Sequence, residues 1–251
     1  MVHVRSRSVS DIASGTAVLP DGSYRGLYRA GAVSALLYAV MIAAPLALLS
    51  LAPQPPLTGG AELLRYVALH KAVYLTELVS FVGLSVPALV VFLALYPALR
   101  GVNPGYAALG AGVGVASETV ALALSSSPPS LHTGLLRLSE LYAAASSEAE
   151  RDALASAAEG LMAVSNAVNA AGVLTALGIL VVSLVMRGGV FPKGVAYLGV
   201  VTGVAGIVCE SLRDALGAGY VVYGLLLPAW FLAVGWTFYR LARKGGRYGY
   251  P

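Results

Sequence analysis

The stretch GYAALGAGVGVASETVALAL, from Gly105 to Leu124, is apolar except for one carboxylate, Glu118. As helix, a run of this length rises about 30 Å, which is the thickness of a bilayer's hydrocarbon core. Lipid offers the backbone no hydrogen-bond partners, so an uninterrupted apolar run must satisfy its own N–H and C=O groups as a helix. The stretch therefore reads as a membrane span with an acid inside it. The rest of the chain follows from asking what that acid faces.

Composition supports the membrane setting. Hydrophobic residues make up 58% of the 251 and charged residues only 11%, with a mean hydropathy of +0.79. A soluble domain carries about a quarter of its residues as charges, so an ordinary soluble fold is excluded. The net charge is +4, and the basic residues stand at the mouths of apolar runs instead of along one exposed face. No nucleic-acid partner is expected from that placement. Cys209 is the single cysteine, which rules out an internal disulfide. The polar head at 1–24 is too long for the basic region of a secretory signal, and the apolar run after it is too long as well. The first apolar segment is expected to be an uncleaved span.

Six charge-free runs are long enough to cross: 30–52, 77–99, 105–124, 161–186, 194–212 and 218–240. The expected fold is an all-α polytopic membrane protein of six transmembrane helices, in the cell membrane. A polar segment at 1–24 and a basic tail at 243–251 flank a transmembrane domain at 25–242. With the N-terminus in the cytoplasm, the inside turns collect Arg100, Arg187 and Lys193 as well as the basic residues of both ends. Only Arg65, Lys71, Arg137, Arg151 and Arg213 fall outside. The positive-inside rule thus places both termini in the cytoplasm. In the last span, Tyr220 and Tyr223 are expected at the outer interface and Trp236 and Tyr239 at the inner one, with Trp230 packed deeper.

The one substantial piece outside the spans is 125–160, between the third and fourth. SSSPPS breaks the helix, and Leu131, Leu135, Leu138, Tyr142 and Ala145 then recur at helical spacing. Ser147 and Glu150 form a capping box, from which a second helix runs on into the fourth span. An external helical hairpin is the expected result. Within the spans, Gly110-xxx-Gly114 and Gly199-xxx-Gly203 suit close helix packing. The sequence GAGVG at 110–114 lacks the third glycine and the Lys-Ser/Thr of a phosphate loop. Pro45, Pro87 and Pro228 interrupt spans one, two and six. Arg100–Ala116 and Arg187–Gly206 echo one another, an Arg-Gly-and-Pro turn followed by a Gly-rich span, as short inside turns alone also would.

Intramembrane acids are functional candidates because burying them is costly. Glu118 lies about 9 Å from the outer end of its span. Glu77, Glu210, Asn166 and Asn169 are expected near the same level, with His70 two turns before Glu77. Together these six residues form a candidate polar pocket that opens outward. An acid held there donates a hydrogen bond when protonated and can carry a proton. Pairing of Glu118 with Arg213 or Lys71 is the structural alternative, and the asparagines serve equally as interhelical hydrogen-bond glue. No paired histidines or cysteines offer metal ligands, no histidine suits haem, and no nucleophile–base pair is identifiable. Catalytic, cofactor-binding and metal residues are accordingly not assigned, and no cofactor is expected.

The segments YRGLYRAGAVSALLYAVM, ALYPALRGVNPGYAALGAGVGVASETVALAL and VMRGGVFPKGVAYLGVVTGVAGIV resemble a group of prokaryotic six-span membrane proteins, the domain of unknown function 4386 family. The likeness is carried by Arg29–Gly31, Tyr96–Asn103 and Arg187–Pro192, and it extends over about 25–241. It implies six spans and a bacterial or archaeal membrane, and no chemistry. The functional expectation is a small-solute or ion carrier. Its alternatives are a membrane-embedded enzyme acting on a lipid or lipid-linked substrate, and an assembly subunit of a membrane complex. The bilayer is the expected partner, with a small molecule or ion as ligand; the oligomeric state is left open.

Overall fold

The computed structural model describes residues 22–49, 52–53, 55–127, 131–167 and 169–244, with the side chains at 22, 44–49, 166–167, 169–170, 214, 217–218 and 244 left aside. The described residues are almost wholly helical: α1 (Arg25–Leu49), α2 (Gly60–Leu69), α3 (Lys71–Gly83), α4 (Ser85–Leu99), α5 (Pro104–Leu124), α6 (Gly134–Ala144), α7 (Glu148–Ala167), α8 (Asn169–Met186), α9 (Lys193–Ser211), α10 (Arg213–Leu216) and α11 (Val221–Lys244). One two-residue antiparallel pair, Ser126–Ser127 with Leu131–His132, closes the loop after α5.

Local chemistry sets several of these boundaries. Asn103 caps α5 by accepting the Tyr106 N–H at 3.1 Å, and Pro104 fills the first helical position, where its missing N–H costs nothing. Helix α3 ends and α4 begins on either side of Leu84 because Pro87 cannot donate to the Gly83 carbonyl and crowds it. The apolar run Lys71–Leu99 is therefore one bent unit. Helix α11 continues through Pro228, and the backbone of α1 through Pro45.

Among the described residues, five runs are long and apolar enough to cross a membrane: Arg25–Ala43, Lys71–Leu99, Pro104–Leu124, Lys193–Ser211 and Val221–Arg243. The expected run 161–186 is covered by the end of α7 and by α8, and residue 168 between them lies outside the described residues. Within it, Leu161 and Met162 of α7 pack into a separate core, and the described apolar stretch is Ala171–Met186. Helix α8 is wedged between α5 and α9, so most of its surface meets protein and little is left to face the surroundings.

The crossing of α5 and α8 is close. A Cβ on Gly178 would lie 2.9 Å from the Gly114 nitrogen and 3.0 Å from the Gly110 carbonyl. The small-residue face expected on α5 thus meets a glycine on α8, and the backbones touch. Around this centre the interior is aromatic. Tyr38 stacks on Phe231 at 3.8 Å and Tyr28 on Phe238 at 5.8 Å, while Phe92 and Trp230 are fully buried. The outward faces are apolar too, with Val33, Leu36 and Val40 exposed on α1 and Val201, Val204 and Val208 on α9. A chain in water would not leave these contiguous faces bare.

The two ends of the bundle differ. At the basic end, Arg100 lies over the Tyr24 ring at 4.8 Å, Phe191 meets Phe238 at 5.9 Å, and Val102 approaches the Gly188–Gly189 turn. The two echoing turns are thus neighbours. At the opposite, capped end, α2, α6 and α7 share their own small core with the tip of α3. Leu63, Leu64 and Val67 of α2 face Leu131 and Leu135, with Leu138 and Tyr142 at its edge. The hairpin stripe read from the sequence is this core's wall. The addition is α2, which makes the cap a three-helix layer. The Ser147 cap forms as expected, accepting the Glu150 N–H at 3.2 Å, while the Glu150 carboxylate reaches one residue further back, to the Ser146 N–H.

Candidate functional site

Glu118 points inward. It is 5% exposed, and Thr175 of α8 donates to its Oε1 at 3.0 Å. Ser85, in the first turn of α4, hydrogen-bonds the same carboxyl group. Ser117 beside it lies 2.6 Å from the Thr175 hydroxyl and donates to the Ala171 carbonyl. Two helices thus supply hydroxyls to one buried acid, and Ser117 of its own helix extends the chain to the Ala171 carbonyl. Neither cation considered as its partner is there. Arg213 pairs with Glu210 at 3.4 Å, and Lys71 with Glu140 at 2.8 Å.

The second acid, Glu210 near the end of α9, reaches α8 from the other side. A Cβ on Gly172 would fall 2.6 Å from its carboxyl carbon, so the carboxylate lies against the α8 backbone at that glycine. Gly172 is three residues before Thr175. One turn of α8 therefore separates the two acids. Tyr220, in the short 3-10 turn Gly217–Tyr220, donates to Glu210 Oε1 at 2.7 Å and accepts from the Arg213 guanidinium, which also covers its ring at 4.4 Å. Burial first, and the Glu210 charge second, raise the Tyr220 hydroxyl above the usual tyrosine range, so it remains a donor. Buried Tyr38 on α1 and Tyr223 on α11 lie within Coulombic range of both acids and close the cluster from two further helices.

Of the residues expected in the pocket, Glu118 and Glu210 are brought to the two sides of one helical turn. Glu77 is buried in α3, and its Oε1 has no hydrogen-bond partner among the described residues; no bond or ion pair joins it to Glu118. His70 sits at the junction of α2 and α3, its ring 5.0 Å from that of Tyr66, and belongs to the cap. The side chains of Asn166 and Asn169 lie outside the described residues. Of the two tyrosines expected in an outer aromatic belt, Tyr220 is half-buried on Glu210 and Tyr223 is buried, its ring edge-on to that of Tyr220 at 5.9 Å. Trp230 is fully buried, as expected, and Trp236 and Tyr239 are exposed.

Sequence reasoning passed over Ser85, Ser117, Thr175 and Tyr38. A signal for Thr175 was present. It lies six residues from the start of α8, and Glu118 lies six residues from the end of α5, so antiparallel neighbours place them level. Ser85 and Tyr38 carry no comparable mark, since a hydroxyl in an apolar run also bonds its own helix, as Thr202 does with the Leu198 carbonyl. Among the described residues, no group of three or more histidine, cysteine or acidic side chains converges as metal ligands. The chain matches no protein-family model, no curated protein and no solved structure.

Proposed function

We propose that this is a six-span carrier of an ion or small solute, and that its transport step runs through Glu118. The spans are α1, the bent α3–α4 unit, α5, α8, α9 and α11. Helix α8 rises about 27 Å, and a central helix sheathed by protein need not match the lipid thickness at both ends. The basic end faces the cytoplasm, with both termini, and the cap faces outward. The motifs at Arg29–Gly31, Tyr96–Asn103 and Arg187–Pro192 support kinship with the domain of unknown function 4386 family and a prokaryotic cell membrane.

The observation that carries the reading is a hydrogen count. Ser117 and Thr175 own one hydroxyl hydrogen each, yet the chain Glu118–Thr175–Ser117–Ala171 carbonyl contains three contacts. Every contact receives a hydrogen only when the carboxyl is protonated. Glu118 then donates to Thr175, Thr175 to Ser117, and Ser117 to the carbonyl. Loss of that proton leaves one contact unfilled and a charge without a cation beside it, so release of the proton and rearrangement of α5 against α8 are coupled. Two arrangements that differ in protonation are what a proton-linked carrier requires.

The test uses protons as the probe. The full chain is placed in vesicles loaded with a pH-sensitive dye, and a potassium diffusion potential, negative inside, is imposed. Native vesicles are expected to acidify faster than protein-free ones, and Glu118→Gln vesicles to behave as protein-free. Equal acidification by native and Glu118→Gln chains would remove Glu118 from transport.

A further inference from the structure

At the basic end, the last turns of α11 form a groove of about 280 Å³ lined by Trp236, Tyr239, Arg240 and Arg243. Their spacing puts all four on one helical face. The two rings are exposed and lie 5.6 Å apart. Arg243 is held in place: its Nη1 donates to the Tyr239 hydroxyl at 3.2 Å, and its guanidinium lies 5.5 Å from that ring's centre. Arg240 has no hydrogen bond or ion pair among the described residues, and no described acidic side chain lies at this end of the bundle.

Two features of this groove select a ligand. The rings, at the end of a long apolar helix, prefer the level of lipid headgroups, where an amphipathic surface meets both solvents. The guanidiniums are planar donors suited to a phosphate's paired oxygens. The last carbonyls of α11 carry partial negative charge, which partly offsets one cation. An anion is therefore held by two. We infer that the groove binds the headgroup phosphate of an anionic phospholipid, with the acyl chains lying along the apolar face below Trp236. The inference rests on the membrane placement of α11 and is independent of what Glu118 carries.

The chain's tryptophans make the test direct, because Trp230 is buried and Trp236 is exposed. The full chain is reconstituted in mixed phosphatidylcholine–phosphatidylglycerol vesicles, with bromine on the acyl chains of one lipid or the other. The Trp236 signal is taken as the difference from Trp236→Phe. Phosphatidylglycerol is expected to be preferred at Trp236 about fivefold, the effect of a basic residue facing an anionic lipid surface. In R240Q/R243Q the preference is expected to fall to parity. Parity in the native chain, or a preference that survives in the double variant, overturns the site while leaving the membrane placement intact. Quenching by neither lipid overturns the placement and the site with it. Relief of the preference by inorganic phosphate shows a site for free phosphate and also overturns the lipid assignment.

Discussion

Gly172 decides how close the two buried acids come. With no Cβ, it lets the Glu210 carboxylate lie on the α8 backbone one turn from the hydroxyl that bonds Glu118. An alanine there would put its methyl 2.8 and 2.9 Å from the two carboxylate oxygens. The carboxylate can retreat only by giving up Tyr220 and Arg213. Gly172→Ala is expected to destabilise the fold by about 1–3 kcal/mol, the usual cost of overpacking an interior. Gly224→Ala is the control. Its Cβ meets nothing within 4 Å, so the substitution in α11 is expected to be neutral or to stabilise by about 0.5–1 kcal/mol. Thermal unfolding of the two variants in the same detergent measures the contrast. Equal melting temperatures would mean that Glu210 does not rest on α8.

Among the elements, the cap is tied to the bundle by groups that titrate. Tyr74 of α3 bonds both the N–H and the carbonyl of His132, at 3.0 and 2.9 Å, and His132 Nδ1 accepts the Gly134 N–H at 2.9 Å where α6 starts. Burial lowers the His132 imidazole below its ordinary 6.5. The folded cap therefore binds fewer protons than the unfolded one. Its stability is complete above about pH 6.5 and declines as pH falls towards the lowered folded value. Glu140 shifts down as well, through its hydrogen bond and charge contact with Lys71, but that pair weakens only below the glutamate's ordinary 4.5. Losses between about pH 6.5 and 5 thus belong to the histidine. Hydrogen exchange across 131–144, corrected for intrinsic rate, is expected to quicken at the lower pH in the native chain and to stay flat in His132→Gln. The sequence disclosed the α6 stripe and the Ser147 cap because both are local patterns. It did not disclose α2 as a third wall of that core, since charged Glu62 and Arg65 break any apolar run and only the tertiary contact fixes its face. The packing of Leu161 and Met162 was hidden for a related reason: both are as apolar as a span requires, and their place in the core shared with α2 and α6 cannot be read from hydropathy.

For the whole molecule, the arrangement turns on α8. Counting only Arg25–Ala43, Lys71–Leu99, Pro104–Leu124, Lys193–Ser211 and Val221–Arg243 gives an odd number of crossings and leaves the ends of the chain on opposite sides. Adding α8 returns both ends to one side, and it puts Arg100 and Arg187 in the same compartment. Their turns already pack together through Val102 and Gly188–Gly189, so a five-span path would have to hold touching turns on opposite sides of a bilayer. The proposed six-span path keeps the touching turns on one side, which a path of only these five runs does not. The lone cysteine makes the point measurable, because Cys209 is buried. In a Cys209→Ala background, Arg100→Cys, Arg187→Cys and Arg243→Cys are expected to react with a membrane-impermeant thiol reagent only in inverted vesicles. Arg137→Cys and Arg151→Cys, exposed on the cap, are expected to react only in right-side-out cells. Labelling of Arg187→Cys from the same side as Arg137→Cys would show that α8 does not cross. The two acids would then lie in a bundle whose central helix turns back, and a proton leaving Glu118 would have no second compartment to enter.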